Sequence, residues 1–450
     1  MAMAVRAKTR QCANPIDQAT LTINEKILRE CHTLYTDSDT GLIKIAEHFN
    51  LKLLAPRKKI IVLLIGNHSA GKSSFINWYI EEHVQKTGVA IETQGFVIVT
   101  SGKKRESLMG NATLHLYPHF KPLQKIPGVV DFLSTEISTS KQKKFSLVTF
   151  VDTPGLVDGD MQYPFDVNEA ILWLGKMADL IFTFFDPIGQ ALCKRTLNLV
   201  EKLNSAHAEK MRFYLSKADD AGNESDRQRV MMQIVQELCK RPGLNRTGFD
   251  MPTIYIPDLN KQTRCVNQIE EVCRDVERTI NQTVQNTLNT LERDCETIAM
   301  LVEKRLEQDA VDRNYNFKAS SRAMVLGALA AILPMLFILN VLVTVLNRNF
   351  LLAVFGASVT DNLVTYLSPV RTLWSIVPER LQWTVLLIII IGWGGLFVLT
   401  KWSLGLRPTL SRKHKRQFLE MREHVEKVVK AKKQQLYREY LEQSVGDHDL

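Results

Sequence analysis

At 450 residues the chain exceeds what one hydrophobic core organises, so two or three structural units are expected. Lys and Arg outnumber Asp and Glu by 57 to 48, a formal charge of +9, and part of the excess lies beside the C-terminal apolar region, which points to a membrane surface and away from nucleic acid. Seven cysteines, odd in number and without a C-x-x-C pair, argue against a disulfide framework and a structural zinc and suit a reducing compartment, and Met1–Ala13 is basic without the apolar core of a secretory signal.

After the mostly polar stretch Asn14–Thr22, apolar residues at Ile23, Ile27, Leu28, Cys31, Leu34, Leu42, Ile45 and Phe49 fall at helix-like steps. This helical lead-in, residues 1–59, is expected to pack on a stalk or on the domain that follows, and Pro56-Arg57-Lys58-Lys59 marks the entry to a first strand. The apolar run Ile60–Ile65 then meets Gly66-Asn67-His68-Ser69-Ala70-Gly71-Lys72-Ser73, with Ser74–Ile80 helical beyond it. Strand, glycine loop and helix in that order are the setting of the phosphate loop G-x-x-x-x-G-K-[ST]. Its glycines let backbone N–H groups approach a polyphosphate, and the helix start adds a favourable dipole. Lys72 is the candidate for the β- and γ-phosphates and Ser73 for Mg²⁺.

Up to Pro257 strand-like and helix-like runs alternate, the signature of an α/β domain with a mostly parallel sheet covered on both faces. Strands are predicted at Phe96–Val99, Phe145–Val151, Leu180–Phe185, Met211–Leu215 and Thr253–Ile256. Thr93, in Ala90–Phe96, is the candidate to complete the Mg²⁺ shell and sense the γ-phosphate, with a solvent-facing loop threonine as the alternative. Asp152-Thr153-Pro154-Gly155 follows a strand, where the carboxylate of Asp152 suits the Mg²⁺ shell and the N–H of Gly155 a γ-phosphate. Ser216-Lys217-Ala218-Asp219 closes the set: Asp219 can accept both N–H groups of a guanine edge, with the Lys217 stem stacked on the ring.

With these residues in hand, the chain resembles the dynamin superfamily of large nucleotidases, and within it the branch of the EHD membrane-remodelling ATPases and sarcalumenin. The resemblance rests on the phosphate loop, Glu92-Thr93 with Phe96–Val99, Val148–Gly155, Tyr163-Pro164-Phe165, Ala178–Phe182 with Phe185-Asp186-Pro187, and Ser216–Asp219, and it covers residues 20 to 257. It implies a dynamin-type G domain over 60–257 that binds GTP with Mg²⁺ through 66–74, Asp152, Gly155, Ser216, Lys217 and Asp219. Adenine nucleotides stay open, because EHD-type relatives use them. The family places Gln at the position of His68 to orient water, with the next Ser assisting; here His68 and Ser69 stand there, which implies slow or partner-dependent hydrolysis. Ser216 replaces the family's usual Asn, and one contact to purine and phosphate loop is thereby in doubt.

From Val266 to Asp309 there is no Gly or Pro, and Ile269, Val272, Val276, Ile280, Val284, Leu288, Leu291, Cys295, Ile298 and Val302 recur at three- and four-residue steps. One long amphipathic helix, or two in line, is expected as a stalk within 258–322. Two uncharged stretches, Ala323–Leu346 and Trp383–Leu399, are long enough to span roughly 30 Å of hydrocarbon and form an expected transmembrane hairpin within 323–400. Phe350–Ser358 is a weaker apolar run that would lie in or dip into the interface. Lys318 and Arg322 precede the hairpin, and Lys401, Arg407, Arg412, Lys413, Lys415 and Arg416 follow it, while the connection carries only Arg348, Arg371 and Arg380 against Asp361 and Glu379. The positive-inside rule therefore expects the G domain and both ends in the cytosol, on the endoplasmic or sarcoplasmic reticulum or the mitochondrial outer membrane. The basic tail 401–450, with Phe418, Met421, Val425, Val428, Leu436 and Tyr440, packs on the long helix, lies on an anionic leaflet, or is a plain solvated helix.

The expectation is a membrane-anchored GTPase, dimerising or oligomerising with nucleotide, that remodels, tethers or fuses bilayers; the layout is similar to that of atlastins and mitofusins. Its rivals are a nucleotide-gated scaffold with little turnover, an EHD-like ATPase, and a lumenal calcium-binding protein. No long acidic tract supports the last, and the absence of ionisable residues in the spans speaks against a channel.

Overall fold

The computed structural model describes residues 21–88, 94–158, 163–188, 192–245, 250–258, 265–345 and 356–445. Thr93 and the part of Phe350–Ser358 up to residue 355 lie outside them.

Helix α1 (Ile23–Thr36) starts at Thr22, whose hydroxyl accepts from the Glu25 N–H, and buries Ile27, Leu28, Cys31 and Tyr35; a short α2 (Leu42–Glu47) follows. Strand β1 (Ile60–Gly66) is buried along its whole length, as a central strand of a parallel sheet must be. It leads through the phosphate loop into α3 (Lys72–Ile80). Next come β2 (Phe96–Ser101), β3 (Glu106–Met109), α4 (Asn111–Leu116), β4 (Leu133–Ser138), β5 (Val148–Asp152), α5 (Val167–Met177), β6 (Leu180–Phe185), α6 (Lys194–His207), β7 (Met211–Leu215) and α7 (Glu224–Cys239). The sheet has seven strands in the order β3-β4-β2-β5-β1-β6-β7. β2–β5 and β3–β4 run antiparallel and the other pairs parallel, so the expected mostly parallel α/β domain is what forms.

Two strand expectations differ from the structure. The run Phe145–Val151 enters the sheet only at Val148, because Gln142–Leu147 turns through Lys143 and Lys144 at φ 44° and 57°. Phe145 and Leu147 are nonetheless fully buried, so their apolar character served packing and not the ladder. Thr253–Ile256 forms no strand; only Thr253 bridges to Leu215. Conversely β3 and β4 went unread: β3 is short, polar and exposed, and its pairing with β4 is set by register between residues far apart in sequence, such as Met109 with Ser134, rather than by local pattern.

Alternation along the strands builds two cores. On one face Phe150, Phe182 and Phe184 meet Phe75 of α3 edge-on at 5.5–6.2 Å between ring centroids. On the other, Ile61, Leu63, Ile65, Val151, Ile181 and Phe185 pack with Ile171, Leu174, Leu197 and Val200 of α5 and α6. His119 sits at the margin of this second core, against Tyr117 and Phe120. Burial, and then the Arg57 cation, lower its pKa from 6.5 to about 4. The folded chain therefore binds this proton more weakly than the unfolded one. The linked stability is whole above pH 6.5, is lost as pH falls toward 4, and is level below. Replacing His119 by Gln is expected to shrink the loss of urea midpoint between pH 7 and pH 5, and an unchanged loss would show that another group drives it.

The C-terminal part comprises α8 (Ile269–Val345), α9 (Ala357–Ser375), α10 (Gln382–Ser403), α11 (Arg412–Glu423) and, after a π-helical turn His424–Val429, α12 (Lys430–Val445). Contacts divide the chain into two units, 1–296 with 426–450 and 297–425. All ten apolar positions read as the stripe of a long helix, Ile269 to Val302, are buried. In the first unit α1 and α12 lie along α8: Asn24 donates to Asn281, Tyr35 to Asp294, and Lys26 and Lys433 pair with Glu439 and Glu292. Leu436 and Tyr440 are buried there, so of the three readings of the tail, α12 takes the packed one.

In the second unit the turn after α10 is held by carboxylates of α8. Asp309 accepts the Leu410 N–H at 2.6 Å, Asp312 pairs with Arg407 at 3.2 Å, and the Arg407 guanidinium lies over Tyr315. Among the described residues two helices, α8 and α10, contain segments long and apolar enough to cross a membrane. Their large apolar side chains are exposed, for example Met335 at 67% and Ile388 at 66%, unlike those of a core helix.

Candidate nucleotide site

The loop after β1 is shaped by close approach. A Cβ on Gly66 would stand 2.7 Å from the Phe184 carbonyl oxygen, and Gly71, the residue before α3, has φ 86°. Ser69 also adopts a left-handed φ of 59°, and Ala70 is fully buried, its N–H donating to the Asn67 carbonyl. Lys72 is buried and donates to the carbonyls of Gly66 at 3.2 Å and Asn67 at 3.0 Å. Burial pushes its pKa down, against the pull of Asp152.

Asp152 ends β5 beside β1, with its carboxylate buried. Ser73 Oγ donates to its Oδ2 at 2.5 Å, while Oδ1 has no hydrogen-bond partner among the described residues. Burial raises the Asp152 pKa, opposed by Lys72, Ser73 and the Thr153 N–H. A buried carboxylate oxygen without a donor, next to a hydroxyl, is what a hard divalent cation and its waters would satisfy, so these residues fit Mg²⁺.

The segment after Asp152 is laced to the phosphate loop. Thr153 Oγ1 donates to the Leu64 carbonyl, Leu156 N–H to Gly66, and His68 N–H to Leu156. Gly155 lies so close that a Cβ would meet His68 Cα at 2.6 Å. Thus Gly66, Asn67, His68, Ser69, Ala70, Gly71, Lys72, Ser73, Asp152 and Gly155 converge, and Ser74 continues the first turn of α3. At the end of β7, Ser216 turns its N–H and its hydroxyl to the Phe185 carbonyl at 2.9 and 3.1 Å. Lys217, at φ 49°, pairs with Asp186 at 3.3 Å, and Asp219 is partly exposed on the loop beyond.

Sequence reasoning missed Thr196, whose hydroxyl donates to Asn67 Oδ1 at 2.5 Å, and the part played by Asp186 in holding Lys217. Asp186 was visible only as part of a family motif. Nothing local marks Thr196, since its role follows from the sheet order that sets α6 beside the loop.

The model of the dynamin family matches residues 62–237. EH domain-containing protein 1 of Arabidopsis thaliana is 30% identical over 172 residues, 37% of this chain and 31% of that protein. EH domain-containing protein 3 of Homo sapiens is 26% identical over 246 residues, 52% and 45% respectively. The chain thus spans less than half the length of these relatives. A solved bacterial dynamin, from an oligomerised pair described as a mechanism for long-range sensing and tethering of membranes, aligns with TM-score 0.41 at 15% identity, covering 96% of this chain and 81% of its own.

Proposed function

We propose, from the premise that this chain belongs to the dynamin superfamily, that it binds a purine nucleoside triphosphate and hydrolyses it to drive remodelling, tethering or fusion of a membrane in which it is anchored. The observation that carries the reading is the set of buried Lys72, half-buried Ser73 and buried Asp152, with Asp152 Oδ1 lacking a donor among the described residues. A triphosphate would exchange the two carbonyl partners of Lys72 for charge-assisted bonds and bring the β- and γ-oxygens to the loop N–H groups. Ser73 and Asp152, with Thr93, would hold Mg²⁺, which neutralises charge that develops on the phosphates. His68 and Ser69 would place the attacking water, and the N–H of Gly155 would report the γ-phosphate. Lys217 and Asp219 would select the base, guanine being preferred and adenine the alternative.

Exposed apolar surface on the second half of α8 and on α10 supports two spans, and the basic residues on their outer flanks favour a nucleotide domain and both ends in the cytosol. Nucleotide-dependent pairing of two copies is part of the proposal. The test is turnover by the full chain in liposomes with GTP or ATP and Mg²⁺. GTP is expected to bind at least tenfold tighter than ATP and to be hydrolysed slowly. Failure of both triphosphates to bind at millimolar concentration, or release of the protein by alkaline carbonate, would overturn it.

A second reading, a nucleotide-gated scaffold with little turnover, is favoured by Ser216. Its hydroxyl is committed to the Phe185 carbonyl, where an Asn side chain would reach further. Binding without turnover above that of a Lys72→Ala control would select it.

A further inference from the structure

The Gly155–Leu156 peptide is gripped at both edges. Its N–H, that of Leu156, donates to the Gly66 carbonyl at 3.2 Å, and its C=O, that of Gly155, accepts from the Tyr163 hydroxyl at 2.6 Å. Because a peptide is planar, two such bonds on opposite edges fix its orientation. The next carbonyl, Leu156, receives the His68 N–H at 3.1 Å, so the hold on Gly155 extends to the backbone of the loop.

Tyr163 is itself seated from outside. The Arg195 guanidinium lies over its ring at 5.1 Å, and Arg195 Nη1 is enclosed without an acceptor among the described residues. Arg195 belongs to the first turn of α6, and Asp158 fixes that turn by accepting the N–H groups of Lys194 at 2.7 Å and Arg195 at 3.0 Å and the thiol of Cys193. Thr196, one residue on, reaches Asn67 of the phosphate loop. Burial pushes the phenol upward, so it stays a donor at neutral pH although Arg195 pulls the other way. Tyr163, Arg195 and Asp158 thus close a ring of contacts around Gly155 that α6 ties back to the loop.

We propose that Tyr163, seated by Arg195, is a positioning residue for hydrolysis: it holds the Gly155–Leu156 peptide, and through it His68, in the orientation that the reaction uses. This rests on the reading of the site as a triphosphatase. A residue that acts this way changes the rate of the chemical step and leaves nucleotide affinity alone, since it touches neither phosphate nor base.

The experiment compares wild type, Tyr163→Phe, Arg195→Ala and the double variant, as full chains in liposomes. Nucleotide Kd is measured with a non-hydrolysable analogue, single-turnover kcat with GTP, and hydrogen exchange in peptides covering 64–68 and 153–158. Each single variant is expected to keep Kd within about twofold and lose about tenfold in kcat, and the double variant to lose no more than the worse single one, because both act through one hydroxyl. Exchange at His68 and Leu156 should quicken in Tyr163→Phe. Unchanged kcat with unchanged exchange would overturn the proposal, as would Kd and kcat falling together or losses that multiply in the double variant. If wild type binds but does not turn over, the triphosphatase reading fails, and exchange alone then decides whether Tyr163 holds the peptide.

Discussion

Replacing Lys72 by alanine is expected to lower single-turnover hydrolysis by about 10²–10³-fold and to weaken triphosphate binding, with little change in folding stability. The ammonium is buried and stands between the loop carbonyls and Asp152, so it would be the strongest positive charge facing the transferring phosphoryl group. Two opposing terms keep the fold nearly neutral to the change. Removing the charge relieves its desolvation, which is the main cause of its lowered pKa, while the Gly66 and Asn67 carbonyls lose a donor and buried Asp152 loses the cation that favours its charged form. Kinetics alongside a urea melt check this: a large rate loss with an unmoved midpoint is the expected pair. A variant that hydrolyses within threefold of wild type would remove Lys72 from the chemistry.

The largest effect on stability is expected at Phe75, where alanine should cost about 3–5 kcal/mol. The side chain is 2% exposed and its ring contacts Trp78, Tyr79, Phe150, Phe182 and Phe184 at centroid distances of 5.5–6.2 Å. It sits three residues past Lys72 on α3 and is the wedge that seats that helix on the sheet. Against a typical total of roughly 5–15 kcal/mol, the loss would leave the nucleotide domain marginal. It would also reduce nucleotide affinity, because the loop N–H groups depend on where α3 begins. Urea unfolding followed by far-ultraviolet dichroism measures the cost, with Leu54→Ala at an 89% exposed position as the control, expected within about 0.5 kcal/mol of wild type. A Phe75→Ala midpoint equal to that control would contradict the account of the core.

Much of the candidate nucleotide site was legible because its signals are local. Gly66, Gly71, Lys72 and Ser73 lie in one short run whose spacing follows from how a backbone wraps a phosphate, and Asp152 and Gly155 follow an apolar strand. Strands β6 and β7 were read to the residue, since Leu180–Phe185 and Met211–Leu215 are predominantly apolar or aromatic runs, interrupted only by Thr183 and Arg212, between polar flanks at Asp179, Asp186, Lys210 and Ser216. The limits of such reading appear at Phe145 and Leu147. They are as apolar as strand residues, yet a left-handed turn at Lys143 and Lys144 keeps them off the ladder. They appear again at β3, whose polar residues become a strand only because β4 offers an edge.

The amino-acid order by itself determined that a phosphate loop sits between a buried strand and a helix, that a mostly parallel sheet surrounds it, and that a long helix and two spans' worth of apolar residues follow. Each is written in neighbours whose spacing matches a backbone period or a bond. Only the tertiary structure decided that Thr196 meets Asn67, that Tyr163 holds the carbonyl of Gly155 with Arg195 across its ring, and that Asp152 keeps one oxygen without a donor among the described residues. Those contacts join segments brought together by strand order, and strand order is set by the burial of whole faces, a property that no short stretch of the chain carries.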